Sequence, residues 1–96
     1  MSYDQIVVKW DENKNLELLI KRGVSFTEIG EIILNEEYID ILKHPKRDNQ
    51  YIFIIEINKY IWAVPFSMRG EIIFLKTAFP SRKFNKIYKG GKKRNE

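Results

Sequence analysis

Residues 50–79 decide the fold: Gln50-Tyr51-Ile52-Phe53-Ile54-Ile55-Glu56-Ile57-Asn58-Lys59-Tyr60-Ile61-Trp62-Ala63-Val64-Pro65-Phe66-Ser67-Met68-Arg69-Gly70-Glu71-Ile72-Ile73-Phe74-Leu75-Lys76-Thr77-Ala78-Phe79. Three runs rich in β-branched and aromatic residues are separated by two turn pairs, Asn58-Lys59 and Arg69-Gly70. Asn and Gly tolerate the positive φ values that two-residue hairpins demand, so the stretch predicts three antiparallel strands in a meander. Two such turns fix a register. Ile57 stands opposite Tyr60, Ile55 opposite Trp62, Phe53 opposite Val64 and Tyr51 opposite Phe66; Phe66 then faces Ile73, Val64 faces Leu75 and Trp62 faces Thr77. That face is bulky and apolar and calls for a covering layer of helices. The opposite face mixes Gln50, Glu56, Ala63, Pro65, Ser67, Lys76 and Ala78 with Ile52, Ile54, Ile61, Ile72 and Phe74, and reads as a half-open floor. Pro65 has no ladder donor, so a bulge or distorted ladder is expected beside it.

Upstream, Tyr38-Ile39-Asp40-Ile41-Leu42-Lys43 alternates as a strand does and is stopped by His44-Pro45 and the polar loop Lys46-Arg47-Asp48-Asn49. Before it lie two helical patterns. Asp11 can cap a helix running to Arg22, with Leu16, Leu19 and Ile20 on one face and Gly23 as its stop. Ser25 and Glu28 have capping-box spacing, and Phe26, Ile29, Ile32 and Ile33 follow at helical intervals to about Leu34. Gln5-Ile6-Val7-Val8-Lys9-Trp10 reads as a first strand. Downstream, Ser81 caps a short helix from Arg82 to about Tyr88. The stretch 90–96 has no apolar residue to bury and reads as a flexible basic tail. The expected architecture is α+β: a single antiparallel β-sheet of about 4–5 strands, backed by two N-terminal helices and followed by a short C-terminal helix, in one domain over 1–89.

The 96 residues, 44% of them hydrophobic, suffice for one domain and not two. The absence of cysteine excludes disulfides and thiolate chemistry. No basic-then-apolar leader opens the sequence and no apolar run approaches the roughly 20 residues of a membrane span, so a cytoplasmic protein is expected. Charge is unevenly divided. Residues 1–40 carry four Lys or Arg against nine Asp or Glu, net −5, whereas residues 41–96 carry thirteen against four, net +9. A basic half of this kind attracts a polyanion, and RNA or DNA is the first partner to consider; lysines that merely solvate a surface are the alternative.

One histidine and no cysteine leave little for a metal site, and Glu36, Glu37 and Asp40 read as a solvated acidic face, so neither metal nor cofactor is expected. Gly90-Gly91-Lys92-Lys93 lacks the flanking strand and helix of a nucleotide-binding loop. What remains is metal-free attack on RNA, which carries its own 2′-OH nucleophile and needs a base, an acid and cations around the transition-state phosphate. His44 can serve as acid or base and has Lys46 and Arg47 beside it; the alternative is a loop histidine without a role. Lys76 stands among small residues on the open face, where it either holds a phosphate or lays its stem on the sheet with its amine in water. Arg82 and Lys83 begin the last helix and can add phosphate contacts. Tyr88 is either a stacking or acid group or the anchor of that helix. Among the aromatics, Phe74, with Tyr38 or Tyr60, is placed to meet a base.

Trp10-Asp11-Glu12-Asn13-Lys14-Asn15 followed by Lys21-Arg22-Gly23-Val24-Ser25-Phe26 resembles the "W-D-x-x-K … K-x-G-[VI]-S-F" opening of BrnT-like toxins of bacterial type II toxin-antitoxin pairs. Val64-Pro65-Phe66, then Phe74-Leu75-Lys76-Thr77-Ala78-Phe79-Pro80-Ser81-Arg82-Lys83 and Tyr88, is similar to a branch of that family ending in "K-T-x-x-P-S-R-K". The likeness spans Trp10 to Tyr88. It implies a ribonuclease of RelE-like architecture and a cognate antitoxin, a small DNA-binding protein of ribbon-helix-helix or similar type. Residue by residue it marks Lys76, Thr77, Ser81, Arg82 and Lys83 in the ending and His44-Pro45 in a "[HN]-P" step. Arg22 stands where many members have His or Glu, and the "S-A-R" arginine of the main branch has no counterpart. The resemblance thus implies a metal-independent endoribonuclease toxin that halts translation by cutting mRNA, free or on the ribosome. His44, Lys76 and Arg82 are its candidate catalytic residues, and Arg47, Thr77, Ser81, Lys83 and Tyr88 its candidate RNA-binding residues. The rival expectation is a non-catalytic nucleic-acid-binding or protein-interaction module.

Overall fold

Asn58 and Lys59 both take left-handed backbone conformations, φ +52° and +67°, and so close the tight hairpin their sequence predicts. In the computed structural model, which describes residues 6–88, that hairpin joins the two longest strands. The elements in chain order are β1 (Val7–Trp10), α1 (Glu12–Arg22), α2 (Phe26–Leu34), β2 (Asp40–Lys43), β3 (Gln50–Ile57), β4 (Tyr60–Arg69), β5 (Ile72–Leu75), β6 (Phe79–Pro80) and α3 (Arg82–Tyr88). The fold is α+β. The basic stretch 90–96, read above as a tail, lies outside the described residues. No helix among the described residues is long and apolar enough to cross a membrane.

The sheet runs β1-β5-β4-β3-β2, with β6 paired to β4. It is mixed, not wholly antiparallel as expected. β1 lies parallel to β5, Val8 beside Ile73 and Trp10 beside Leu75, because the chain leaves β1 through two helices and returns at the opposite edge. The β3–β4 register is the expected one throughout, Ile57 opposite Tyr60 to Tyr51 opposite Phe66. The β4–β5 register differs by two residues: Phe66 faces Leu75 and Arg69 faces Ile72, so the turn is Gly70-Glu71, with Gly70 at φ +58°. A shift of two leaves every side chain on its expected face.

Beyond Leu75 the predicted last strand breaks. Lys76 N–H donates to Pro65 O at 2.9 Å, and pairing resumes with Phe79 opposite Ala63 and Pro80 opposite Trp62. Three residues, Lys76 to Ala78, thus oppose two, Val64 and Pro65, which is the bulge that a proline in a central strand demands. The extra residue turns Ala78 from the expected open face into the helix-side core, where it is buried.

Phe26, Ile29 and Ile33 of α2 pack with Phe53, Ile55, Val64, Phe66, Ile73 and Leu75 on one side of the sheet. Phe53 stacks on Phe66 at 4.1 Å between ring centroids. Both expected caps form: Asp11 accepts from Asn13 N–H at 2.9 Å and Ser25 from Glu28 N–H at 3.1 Å. α1 does not bury the face marked by Leu16, Leu19 and Ile20. It turns Asn15 and Leu18 inward, and Ile20 is 81% exposed. Asn15 explains the choice, because its Oδ1 accepts the Phe26 N–H at 2.7 Å and satisfies an otherwise orphan donor at the start of α2. The other side of the sheet is only partly open. α3 lies over it and buries Ile54 and Ile61 beneath Tyr88, with Leu42, Ile52 and Phe84 packed alongside.

Candidate nucleic-acid interface

Cross-strand partners on a sheet share a face, so the register itself assembles the surface that α3 leaves uncovered. One row crosses the whole sheet: Lys9 beside Phe74, Phe74 beside Ser67, Ser67 beside Gln50, and Gln50 O accepting the His44 N–H at 2.9 Å. Four strand spacings give it a length of about 19 Å. On one side lies Val7–Ile72–Arg69 and on the other Lys76 beside Pro65. Val7, Ile72 and Phe74 are each about two-fifths exposed, and Lys9, Arg69 and Lys76 are exposed around them. An open aromatic ring set among cations suits a single-stranded nucleic acid, whose bases stack while its phosphates meet ammonium and guanidinium groups.

His44 occupies the far end of this row in an unexpected role. Its Nδ1 accepts two backbone amides, Lys46 N–H at 3.0 Å and Arg47 N–H at 3.1 Å, and so closes the loop between β2 and β3. With Nδ1 engaged as acceptor, the neutral ring carries its proton on Nε2. Nε2 is then free to act as a hydrogen-bond donor, whereas action as a base at Nε2 would require the tautomer that these amides oppose.

The three residues assigned to catalysis are not gathered at one point. His44 and Lys76 are separated by three strand spacings, about 14 Å of sheet. Arg82 follows Ser81, whose N–H donates to Ile61 O, four residues along β4 from the Pro65 that Lys76 meets, or about 13 Å. Ser81 is the expected cap, its Oγ accepting the Phe84 N–H at 3.1 Å. Lys83 extends over the Phe84 ring, 5.6 Å from its centroid. Tyr88 is buried and donates its hydroxyl to Asp40 at 2.7 Å, so it anchors α3 and presents no ring to RNA.

Thr77 turns to the helix side. There it lines a cleft of about 400 Å³ with Lys14, Lys21 and Arg22 of α1, Glu17 of which pairs with Lys21 at 3.4 Å. Cations therefore flank the Lys76–Phe79 connection on both sides. Lys9, Lys14 and Lys21 carry no sequence pattern that marks them as site residues. Only the parallel pairing of β1 with β5 brings Lys9 beside Phe74, and no local signal encodes that partner. Comparison of the chain with family models, with curated proteins and with solved structures returned no match.

Proposed function

We propose that the protein is the toxin of a type II toxin–antitoxin pair, a metal-independent endoribonuclease of RelE-like architecture that binds single-stranded RNA across the open face of its sheet. The observation that carries the reading is the row Lys9–Phe74–Ser67–Gln50–His44, with Arg69 and Lys76 beside it. RNA laid along the row stacks a base on Phe74 and sets phosphates against Lys9 and Lys76, with Nε2–H of His44 donating further along the strand. Cleavage proceeds by attack of the 2′-OH on the adjacent phosphorus, its proton passing to water, as the bond to the 5′-oxygen breaks and that oxygen takes a proton from water; the cations stabilise the charge that gathers on the phosphoryl oxygens. Arg47, Arg82 and Lys83 extend the basic track for the flanking backbone. A cognate antitoxin, a small DNA-binding protein, restrains the activity.

The test is induced expression in a bacterial host of the wild type beside Lys9→Ala/Lys76→Ala and Phe74→Ala, following growth and mRNA integrity. Arrest with mRNA loss in the wild type alone supports the reading. Arrest that persists in both variants removes the open face from it. A second reading, RNA binding without cleavage, is favoured by the separation of His44, Lys76 and Arg82 and by the engagement of His44 Nδ1. It requires normal growth and intact mRNA together with measurable RNA affinity.

A further inference from the structure

The bulge beside Pro65 leaves two backbone amides without acceptors. Lys76 N–H donates to the Pro65 carbonyl and ladder pairing returns only at Phe79, so Thr77 and Ala78 make no hydrogen bond within the described residues. Ala78 is 3% exposed, and a backbone donor at that depth is costly to leave unmet. Both residues line the cleft of about 400 Å³ against α1, and the wall opposite them is cationic. Lys14, Lys21 and Arg22 stand at i, i+7 and i+8 of the helix, so three positive charges are spread over about 12 Å of it. Glu17 is the one acid in the lining. It pairs with Lys21 at 3.4 Å, but both side chains are more than half exposed, so the pair is weak and Lys21 is released at little cost. Lys14 and Arg22 have no ion-pair partner among the described residues. Unmet backbone donors on one wall and free cations on the other call for an acceptor that carries negative charge. Three cations against one acid leave the lining at +2, which a phosphate monoester balances and a carboxylate does not.

We propose that this cleft binds a terminal phosphate group, carried on a nucleotide or on the end of an RNA strand. The amides of Thr77 and Ala78 and the Thr77 hydroxyl donate to its oxygens, while Lys14 and Arg22 balance its charge. The cleft is larger than a bare oxyanion, and the remaining space admits the group to which the phosphate is attached. This goes beyond the RNA reading and does not depend on it, since the cleft lies on the helix side of the Lys76–Phe79 connection and the row containing Phe74 lies on the other.

The probes are adenosine 5′-monophosphate, adenosine, inorganic phosphate and a short single-stranded RNA with and without a 5′-phosphate, each titrated into the full chain at fixed ionic strength while backbone amide shifts are recorded. Expected are saturable shifts of Thr77 and Ala78 with the nucleotide and with inorganic phosphate but not with adenosine, and a loss of nucleotide affinity of about tenfold or more in Lys14→Ala/Arg22→Ala. Both substituted side chains are exposed, so the variant keeps the fold, which circular dichroism checks. Thr77→Val removes the hydroxyl at nearly constant shape and should weaken the nucleotide about fivefold. A 5′-phosphate that tightens the RNA and shifts Thr77 and Ala78 assigns the group to an RNA end; one that does neither, with the nucleotide still bound, assigns it to a free nucleotide, and both results support the site. Absence of saturable shifts, equal shifts with adenosine, or affinity unchanged in Lys14→Ala/Arg22→Ala overturns the proposal. So does a polyglutamate peptide that competes as well as the nucleotide, because the occupant is then an acidic protein segment. Phe74→Ala should leave nucleotide affinity as it is, and a parallel loss would put the nucleotide on the open face and overturn the assignment to the cleft.

Discussion

The Tyr88 hydroxyl donates a 2.7 Å hydrogen bond to Asp40 Oδ2 across 48 residues of sequence, tying the last turn of α3 to the edge strand β2. Asp40 Oδ1 meanwhile accepts the Ile41 N–H at 2.8 Å, so one carboxylate holds both a helix and its own strand. This contact decides how much of the sheet's second face stays open: α3 lies over Ile54 and Ile61 and ends at Asp40, short of the row that contains Phe74.

Tyr88→Phe keeps the ring in its packed position and removes only the donor. A hydrogen bond to a charged, partly buried acceptor contributes about 1.5 kcal/mol, so urea denaturation should show a loss of that size. Asp40→Asn and the double variant complete a cycle, and a coupling near zero would mean that the ring alone holds α3.

Asn15 is the one buried polar side chain among the described residues. Asn15→Leu fits the surroundings in polarity but strands the Phe26 N–H, which has no intrahelical partner at the first position of α2. The expected cost is about 1–3 kcal/mol of unfolding free energy, with faster hydrogen exchange at the Phe26 amide. Unchanged stability would assign the α1–α2 corner to packing around Val24 and Leu18.

Gly30 lies where α2 crosses β1. A Cβ there would stand 3.4 Å from the Trp10 ring and 3.8 Å from Val8, ordinary contact distances. Gly30→Ala should therefore raise stability by about 0.5–1 kcal/mol through helix propensity, while Gly30→Leu should push Trp10 off Phe26, 6.0 Å away, and destabilise. Thermal melts of the two variants must move in opposite directions.

What the sequence discloses follows the range of each interaction. Asn58-Lys59, flanked by strand-forming runs on both sides, favours a tight left-handed turn, so β3 and β4 and their register are readable locally. Pro65 announces its bulge for the same reason. Gly70, by contrast, fits either position of a two-residue turn, and the choice that sets Arg69 opposite Ile72 depends on packing across the sheet. The parallel pairing of β1 with β5 has no local signature, and with it the neighbourhood of Lys9 and Phe74 was hidden. Phe74 and Lys76 shared a face in the sequence because a shift of two residues preserves parity. The amide ties of His44 Nδ1 come from loop geometry that no periodicity encodes.

Phe74 and the lysines beside it make separable contributions to RNA binding. Phe74→Ala removes a stacking platform, worth about 1–3 kcal/mol per base, and leaves the number of phosphate contacts unchanged. Affinity for a short single-stranded RNA should fall about tenfold or more at every salt concentration, with the slope of log affinity against log salt preserved. Lys9→Ala/Lys76→Ala keeps the ring but releases two phosphates, so that slope should flatten by about 1.4. Fluorescence anisotropy across a salt series separates the two effects. A flattened slope in Phe74→Ala, or an unchanged one in the lysine pair, would show that the phosphates run along another surface, with the cleft of Lys14, Lys21, Arg22 and Thr77 the next place to substitute.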